Sequence, residues 1–306
     1  MRHLFALAVL LVACAGCGAD SATVVSSVDV GSPGSSAPPA TSDPGTSEPA
    51  PGTSEPAPGS TDQPLPTNPV EVQTWFTRGD ALWFSKSLVE KQPGIGTEAV
   101  NALVGGPRQF LRAAGVMTAV PAGTRLLGLN IAGGIATVDM SSEFAAGGGV
   151  RSERMRLAQL VYTLTQFPSV HGVRLRLDGK DTTVFSGDGI VLPDPMRRSS
   201  FADLLPAIVV ETPGIADLVV GPIVVEGTAN VFEANVSMEL VSGNGKVLAR
   251  TFTTATCGTG CRGRYQATLD YTPKRLQDVT LLVHDDDAAG TGTPPHQVAI
   301  PLILKP

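Results

Sequence analysis

Hydrophobic and polar positions divide this chain of 306 residues into four stretches with different patterns. A short apolar run at 4–12 is followed by a polar stretch that has no hydrophobic period. Residues 69–193 then mix alternating and helical spacing, and residues 204–306 alternate with a period of two. The pattern predicts a leader at 1–13, a linker at 14–68 and two folded domains after it.

The first predicted domain begins with the spacing of a β-hairpin. Val70, Val72 and Thr74 alternate with polar residues, and a second strand starts at Leu82-Trp83-Phe84. Between them, Arg78-Gly79-Asp80 predicts a hairpin tip rather than an adhesion motif.

Two segments of the same domain have apolar residues at helical spacing. The first helix is predicted to be capped by Thr97 and to end at Gly105-Gly106-Pro107. The second is predicted to open at Ser152 and to end at Pro168. Its apolar stripe consists of Leu157, Leu160, Val161 and Leu164. Three arginines are expected to lie mostly off that stripe: Arg151, Arg154 and Arg156.

The remaining strands complete an interspersed order of strands and helices. Strands at 126–131 and 135–140 flank Ala132-Gly133-Gly134, a tight turn in which glycine permits positive φ. A last strand runs from Val170 to Leu177. The order β-β-α-β-β-α-β, with two amphipathic helices that need one sheet face to cover, predicts an α+β two-layer sandwich.

Four motifs in this region resemble the GerMN domain, which is named after spore germination proteins and also occurs in lipoproteins outside sporulation. They are LVGGP at 103–107, VPAGT at 120–124, ATVDMSSEF at 136–144 and TLTQFPSV at 163–170. The resemblance covers nearly all of 69–192, with the motifs in the expected order. It implies a small α+β domain similar to the ring-building motifs of envelope assemblies, engaged in protein–protein or wall-associated work and without established catalytic residues.

The second predicted domain alternates apolar and polar residues at Phe232–Leu240, Tyr265–Tyr271 and Val298–Leu304. Gly243-Asn244-Gly245 predicts a hairpin turn between two of its strands. About seven short strands separated by turns, with no helical pattern, predict an all-β sandwich.

This second region also carries a resemblance. VVEGTA at 224–229, VFEANV at 231–236 and the late acidic loop Asp285-Asp286-Asp287 resemble the immunoglobulin-like domain that follows GerMN in some bacterial spore germination proteins. The resemblance implies an immunoglobulin-like fold, and Cys257-Gly258-Thr259-Gly260-Cys261 departs from what is expected of that family in general.

The N-terminus has the features of a bacterial lipoprotein signal peptide. Arg2 precedes an apolar run that is too short to cross a bilayer, which needs roughly 20 apolar residues. Leu11-Val12-Ala13-Cys14 resembles a lipobox, in which a peptidase cuts before the cysteine and the thiol carries diacylglycerol. Cys14 is the predicted lipid attachment site, Cys17 is a weaker alternative, and an ordinary leader with a chance cysteine is the other reading. The anchor predicts an extracytoplasmic protein on the outer face of the cell membrane.

The linker is rich in Pro, Ser and Thr and contains a direct repeat, PGTSEPA at 44–50 and again at 51–57. Such a sequence buries too little apolar surface to fold, so a disordered, solvated spacer is predicted. Residues 14–68 contain six acidic residues and no Lys or Arg, although the whole chain has a net charge of only −6. The folded part is therefore nearly neutral, which argues against a nucleic-acid partner.

Cys257 and Cys261 are predicted to form a disulfide, because they lie four positions apart in a glycine-rich segment and an oxidising compartment is expected. A zinc site is the alternative, but it needs two further ligands that the neighbouring sequence does not supply. No metal and no cofactor is predicted.

One segment brings carboxylates and hydroxyls together: Asp139, Ser141, Ser142 and Glu143. A nucleophilic serine needs a base, usually a histidine. The folded part has only His171, His284 and His296. The four residues are therefore candidates for contact with a ligand or partner, and no catalytic residue is predicted.

His284 and the three aspartates after it, at 285–287, are a candidate Ca²⁺ loop. Calcium loops alternate their carboxylates with other residues and place a bidentate Glu further on, which this segment does not. A solvated loop is the preferred prediction.

The sequence favours a non-enzymatic, membrane-anchored envelope lipoprotein that presents its two domains to envelope proteins or to the cell wall. Sporulation, germination or envelope assembly is the process that the resemblance implies. A lipoprotein that binds peptidoglycan or a small ligand is the alternative, and a hydrolase is the least favoured reading because no convergent catalytic motif is present.

Overall fold

A computed structural model describes residues 66–286 and 296–306 of the chain. The predicted signal peptide, Cys14, the linker up to residue 65 and Asp287 lie outside the described residues. Within these two ranges, no helix combines the length and the apolar character that crossing a bilayer requires.

Short helices and strands are interspersed in the first part of the described chain. In chain order they are β1 (Pro69–Arg78), β2 (Ala81–Glu90), α1 (Ile95–Gly105), α2 (Gln109–Ala113), β3 (Val116–Met117), β4 (Leu126–Ala132), β5 (Ile135–Met140), α3 (Gly149–Leu164), β6 (Gly172–Leu177), β7 (Lys180–Asp181), β8 (Val184–Phe185) and β9 (Ile190–Val191). Two 3₁₀ turns accompany them, at Ser142–Ala145 and Arg198–Leu204.

The two predicted hairpins are confirmed. β1 and β2 pair antiparallel from Pro69↔Glu90 to Arg78↔Ala81, which leaves Gly79 and Asp80 as the tip. β4 and β5 pair antiparallel around Gly133 and Gly134, whose φ angles of 58° and 80° lie in the left-handed region that favours glycine.

The strands of this part do not form the single sheet expected from the sequence. One sheet has the order β2-β1-β3, and a second has the order β4-β5-β6-β7, in which β5 and β6 run parallel. Helix α3 contacts strands of both sheets, β1 and β6, so its apolar surface is shared between them. β8 and β9 pair separately as a third, two-stranded sheet. The α+β class is as predicted, while the division into separate sheets follows from pairings that helix spacing does not encode.

The predicted stripe of α3 is confirmed, because Leu157, Leu160, Val161 and Leu164 are all fully buried. The predicted caps are wrong. α1 and α3 each follow a glycine with positive φ, Gly94 and Gly148, so Thr97 and Ser152 lie inside the first turn of each helix.

Arg156 also differs from expectation, since it is almost fully buried rather than off the apolar stripe. Its Nε donates to the carbonyl of Ala119 at 3.0 Å, and Nη2 donates to the carbonyl of Gly147 at 2.9 Å. Further bonds reach the carbonyls of Phe144 and Ala146. Backbone carbonyls that approach from distant loops therefore make this position suitable for a buried cation.

The second part contains only strands and short turns within the described residues. Its strands are β10 (Ile208–Thr212), β11 (Leu218–Val219), β12 (Ile223–Ala229), β13 (Asn235–Ser242), β14 (Val247–Thr254), β15 (Gly263–Leu269), β16 (Gln277–His284) and β17 (Gln297–Leu304). They form a three-stranded sheet, β10-β12-β15, and a five-stranded sheet, β11-β17-β16-β13-β14. Val236, Met238 and Leu240 of β13 are fully buried, as the alternation predicts, and the all-β sandwich is confirmed.

The two parts belong to one compact unit. Arg78 at the end of β1 donates from Nη1 to the carbonyl of Ala299 on β17 at 2.7 Å. Lys86 of β2 donates to the hydroxyl of Thr212 at 3.4 Å, and Arg154 of α3 makes a bidentate pair with Asp203. The predicted domain boundaries at 193 and 204 stay predictions, and the segment between the parts packs on α3.

Candidate functional site

The four residues singled out as a candidate contact lie together at the carboxyl end of β5. Asp139 accepts a hydrogen bond from the backbone N–H of Gly179 at 2.9 Å, and the backbone N–H of Ser142 donates to Asp178 at 3.2 Å. These bonds join the end of β5 to the turn between β6 and β7. The segment therefore stabilises the contact between β5 and the neighbouring turn through these hydrogen bonds.

Ser141 is buried, and its hydrogen bonds tie it to the backbone of Arg125. Its Oγ accepts from the Arg125 N–H at 2.9 Å, while its own N–H donates to the Arg125 carbonyl at 2.9 Å. The Ser141 hydroxyl is the main cause that lowers the pKa of the Glu143 carboxyl, and the Arg125 guanidinium adds to this from 4.0 Å. This environment holds Glu143 as an anion.

A contact role for Asp139, Ser142 and Glu143 stays a prediction. These three are at least partly accessible, whereas Ser141 offers almost no surface. Among the described residues, no group of three or more His, Cys, Asp or Glu side chains is arranged to hold a metal ion.

Cys257 and Cys261 are joined by a disulfide, with their Cα atoms 5.8 Å apart. The enclosed loop is held from outside, because the N–H of Gly260 donates to the side chain of Asn230 at 3.0 Å. Gly263 follows the loop so closely that a Cβ there would lie 2.2 Å from the Cys257 nitrogen. The bond thus closes a tight connection between β14 and β15.

The prediction of a solvated loop after β16 is wrong for Asp285, the first aspartate of the acidic segment. Asp285 is 3% exposed, and its carboxylate accepts from the backbone N–H of His296 at 2.9 Å. Its second oxygen lies 2.7 Å from His296 Nδ1. Asp286 accepts from Ser237 at 3.1 Å. Both carboxylates hold together the ends of neighbouring strands, which the run of charges in the sequence did not indicate.

A cleft of about 510 Å³ opens where the first part meets the second. Its first wall comes from β1 and α3, with Trp75 and Tyr162, and the connector contributes Arg198. The opposite wall comes from the three-stranded sheet, with Glu211 on β10 and Arg262 just before β15. Volumes of this size are typical of small-molecule and peptide sites, and such sites favour domain junctions.

Arg198 is held in place on the first wall. Its Nε donates to Thr165 Oγ1 at 2.8 Å, and Nη2 donates to the Tyr162 carbonyl at 3.2 Å. The guanidinium carbon lies 4.8 Å from the centroid of the Tyr162 ring and 5.8 Å from that of Trp75. Burial lowers the pKa of Arg198, although a guanidinium keeps its charge across the physiological range.

Arg262 is held on the opposite wall. Its Nη2 donates to the carbonyl of Pro206 at 2.6 Å, and Nη1 lies 3.4 Å from the carbonyls of Ala207 and Thr228. Burial lowers its pKa as well. Arg264 lies on the same wall, and its side chain is exposed.

Sequence reasoning missed this cleft. Arg198 and Arg262 stand far apart in the chain, outside any periodic pattern, and only the packing of the two parts brings them together. The pairs Arg197-Arg198 and Arg262-Gly263-Arg264 were the available signals, since arginines in a nearly neutral folded region are conspicuous.

Comparisons with known proteins bear on both parts. Residues 58–183 match the family Germane, described as "Sporulation and spore germination". Residues 207–291 match Gmad2, described as "Immunoglobulin-like domain of bacterial spore germination". The recognition of a GerMN domain followed by an immunoglobulin-like domain is therefore confirmed for these two segments.

Solved structures with similar folds include the first GerMN domain of the sporulation protein GerM from Bacillus subtilis, at 23% identity and a TM-score of 0.38 over 42% of this chain and 98% of that one. The tandem GerMN domains of the same protein match at 18% identity and a TM-score of 0.40, over 68% of this chain and 63% of that one. A putative lipoprotein from Clostridium perfringens matches at 21% identity and a TM-score of 0.33, over 45% and 93%. No curated protein matches the chain significantly.

Proposed function

We propose that this chain is a non-enzymatic lipoprotein of the bacterial cell envelope. Cys14 carries the lipid, the Pro/Ser/Thr-rich linker acts as a tether, and the two domains are presented to envelope proteins or to the cell wall. The process served is sporulation, germination or envelope assembly, in keeping with the two matched families.

The Cys257–Cys261 disulfide is the observation that carries the extracytoplasmic part of the proposal. Disulfides persist in oxidising compartments and are rare in a reducing cytosol. The apolar leader and the lipobox-like LVAC at 11–14 supply the route to that compartment and the anchor. Anchoring by two or more acyl chains is stable, whereas a single chain binds reversibly.

The non-enzymatic part is supported by how the structure uses its polar side chains. Ser141, the serine nearest to paired carboxylates, is buried and exchanges two hydrogen bonds with the backbone of Arg125. The buried Arg156 bonds to carbonyls, and Asp285 bonds to the backbone and ring of His296. These groups stabilise the fold, which suits a protein that acts by contact.

A rigid body suits the display of a binding surface, because ordering two loosely linked domains on binding would cost affinity. The bonds that join the two parts, from Arg78 to Ala299 and from Lys86 to Thr212, favour such a body. The tether then supplies reach, and the folded part supplies specificity.

Fractionation of cells that express the Cys14→Ser chain tests the anchor. The wild-type chain is expected in the membrane fraction, soluble only in detergent, and the variant in the soluble extracytoplasmic fraction. Cys17→Ser is the matched control, since it removes a thiol three positions away and should leave the membrane fraction unchanged. An unchanged distribution of Cys14→Ser would refute the anchoring proposal.

Peptidoglycan binding is the second candidate, and the cleft between the two parts is the observation that favours it. Sedimentation with purified cell wall separates this candidate from protein binding, because a wall binder pellets with the wall in the absence of other proteins. Turnover of a wall substrate by the pure chain would overturn the non-enzymatic assignment.

A further inference from the structure

The cleft between the two parts has an unbalanced charge. Three guanidinium groups line it, those of Arg198, Arg262 and Arg264, against the carboxylates of Glu71 and Glu211. Glu71 is already paired with Lys86, whose Nζ lies 3.1 Å from it. The lining therefore carries an excess of positive charge.

The three guanidiniums make no salt bridge within the described part of the chain. The bonds of Arg198 and Arg262 go to carbonyl and hydroxyl oxygens, which are neutral. Glu211 lies in the same lining, and its charge offsets part of the effect of burial on the pKa of Arg198, but the two form no ion pair. Half-buried cations without a carboxylate at ion-pair distance have lost part of their hydration with only partial compensation. An anion in the cleft would supply that compensation.

An unpaired neutral donor is buried beside the cleft. Trp75 is 4% exposed and lines the cleft, and its indole Nε1 has no hydrogen-bond partner among the described residues. An unpaired buried donor is costly unless something accepts its proton. The donors that the cleft itself presents are the guanidinium groups, and a matching ligand must bring anionic acceptors.

We infer that this cleft is a binding site for the carboxylate of a peptide, held between Arg198 on one wall and Arg262 and Arg264 on the other. Guanidinium groups match the planar carboxylate through paired N–H donors. The rings of Trp75 and Tyr162, 4% and 3% exposed, lie against the Arg198 guanidinium and hold it in position at the cleft. The inference deepens the proposed function by naming the chemistry that a partner presents.

Two sources can supply this carboxylate, an acidic side chain within a protein or the free terminus of a short peptide such as those of the cell wall. Two probes distinguish them: acetyl-Ala-Glu-Ala-amide offers only the side chain, and acetyl-Ala-Ala-Ala with a free C-terminus offers only the terminus. Acetyl-Ala-Gln-Ala-amide is the uncharged control, and inorganic phosphate tests for an unselective anion site.

The full chain carrying Cys14→Ser is titrated with each probe and followed by ¹H–¹⁵N correlation spectra. The chain has two tryptophans, so two indole N–H signals are expected. The Trp75 signal should shift with one of the carboxylate probes, while the Trp83 signal stays in place. Which carboxylate probe binds more tightly identifies the source.

Three substitutions test the charges. Arg264→Gln, at an exposed position, should weaken binding about threefold to tenfold, as expected for one charged hydrogen bond at an accessible site. Glu211→Gln should tighten it about twofold, because a like charge is removed from the cleft. Arg250→Gln, at an exposed arginine on β14 away from the cleft, is the matched control and should change nothing.

Opposite effects of Arg264→Gln and Glu211→Gln are not expected from a purely structural role. The inference is overturned if neither carboxylate probe binds, or if the Gln probe or inorganic phosphate binds as tightly as the carboxylate probes. It is also overturned if Arg264→Gln and Glu211→Gln leave the affinity unchanged. These outcomes are independent of where Cys14→Ser fractionates, so the inference and the anchoring proposal fail separately.

Discussion

At the scale of single residues, Arg156 shows how a cation can organise a hydrophobic region. Its guanidinium is 1% exposed and donates to carbonyls on both sides of α3, including those of Ala119 and Gly147. Because these carbonyls have lost water, removing their donor leaves buried acceptors unsatisfied.

Arg156→Met is expected to lower the free energy of unfolding by at least about 3 kcal/mol, since several carbonyls lose a charged donor at once. Arg154→Met is the control on the same helix. Arg154 pairs with Asp203 near the surface, where such pairs contribute about 0.2–1 kcal/mol. Urea denaturation of both variants measures the difference, and equal losses would contradict the role given to Arg156.

Tyr265 gives the fold a dependence on alkaline pH. Its hydroxyl donates to the carbonyl of Val209 at 3.0 Å, and burial, aided by the charge of Glu211, raises its pKa well above the ordinary value. An unfolded tyrosine ionises near pH 10, whereas the folded one stays protonated. Stability from this group is therefore fully present below about pH 10 and is lost as pH rises further, by about 1.4 kcal/mol per pH unit.

Tyr265→Phe should remove this slope while leaving a constant loss from the missing hydrogen bond. The measurement is the difference in unfolding free energy between wild type and variant from pH 8 to pH 11. It should stay constant up to about pH 9.5 and shrink above it. A difference that is flat over the whole range would show that the Tyr265 proton is not retained.

At the scale of elements, the spacing of hydrophobic residues correctly predicted the features that depend on neighbouring residues in the chain. The stripe of α3 was predictable because four apolar side chains recur at helical spacing, and the turn at Gly133 was predictable because glycine is needed for positive φ. The helix starts were missed because Gly94 and Gly148 redirect the backbone without a side-chain cap. The division of the first part into separate sheets was missed because strand pairing depends on non-local contacts.

Gly227 lies on a strand where the neighbouring strands leave no room for a side chain. It lies in the middle strand of the sheet β10-β12-β15, where a Cβ would stand 2.0 Å from the Val209 carbonyl and 2.6 Å from the Tyr265 hydroxyl. Gly227→Ala should therefore destabilise the chain by about 3 kcal/mol or more through overpacking. Gly243→Ala, which meets nothing within 4 Å, should cost less than about 1 kcal/mol. Thermal unfolding of the two variants checks the contrast.

At the scale of the whole molecule, the joint between the two parts could not be read from the sequence. Arg78, predicted only as one end of a hairpin tip, donates to the carbonyl of Ala114 within its own part and to that of Ala299 in the other. Arg198 and Arg262 line the same cleft, and this was not predictable for the same reason. A single sequence gives residue types but does not show which surfaces pack together. The candidate cluster around Asp139, by contrast, comes from one short segment, and its contact role stays a prediction.

This joint leads to an expectation about cooperativity. Both tryptophans, Trp75 and Trp83, belong to the first part, so tryptophan fluorescence reports its unfolding alone. Far-ultraviolet circular dichroism reports both parts. If the joint couples them, the two probes should give coincident urea transitions for the wild-type chain.

Arg78→Met should separate the two transitions. The substitution keeps a long apolar side chain against Trp83, whose ring centroid lies 4.9 Å from the Arg78 guanidinium, but removes the donor that joins β1 to β17. The thermal midpoints reported by the two probes should then differ by about 2–4 °C, the shift that a loss of about 1 kcal/mol produces in a chain of this size. Arg250→Met, at an exposed arginine on β14, should leave the transitions coincident. Transitions that already differ in the wild type would mean that the domains unfold independently, and a partner would then meet two hinged modules rather than one rigid surface.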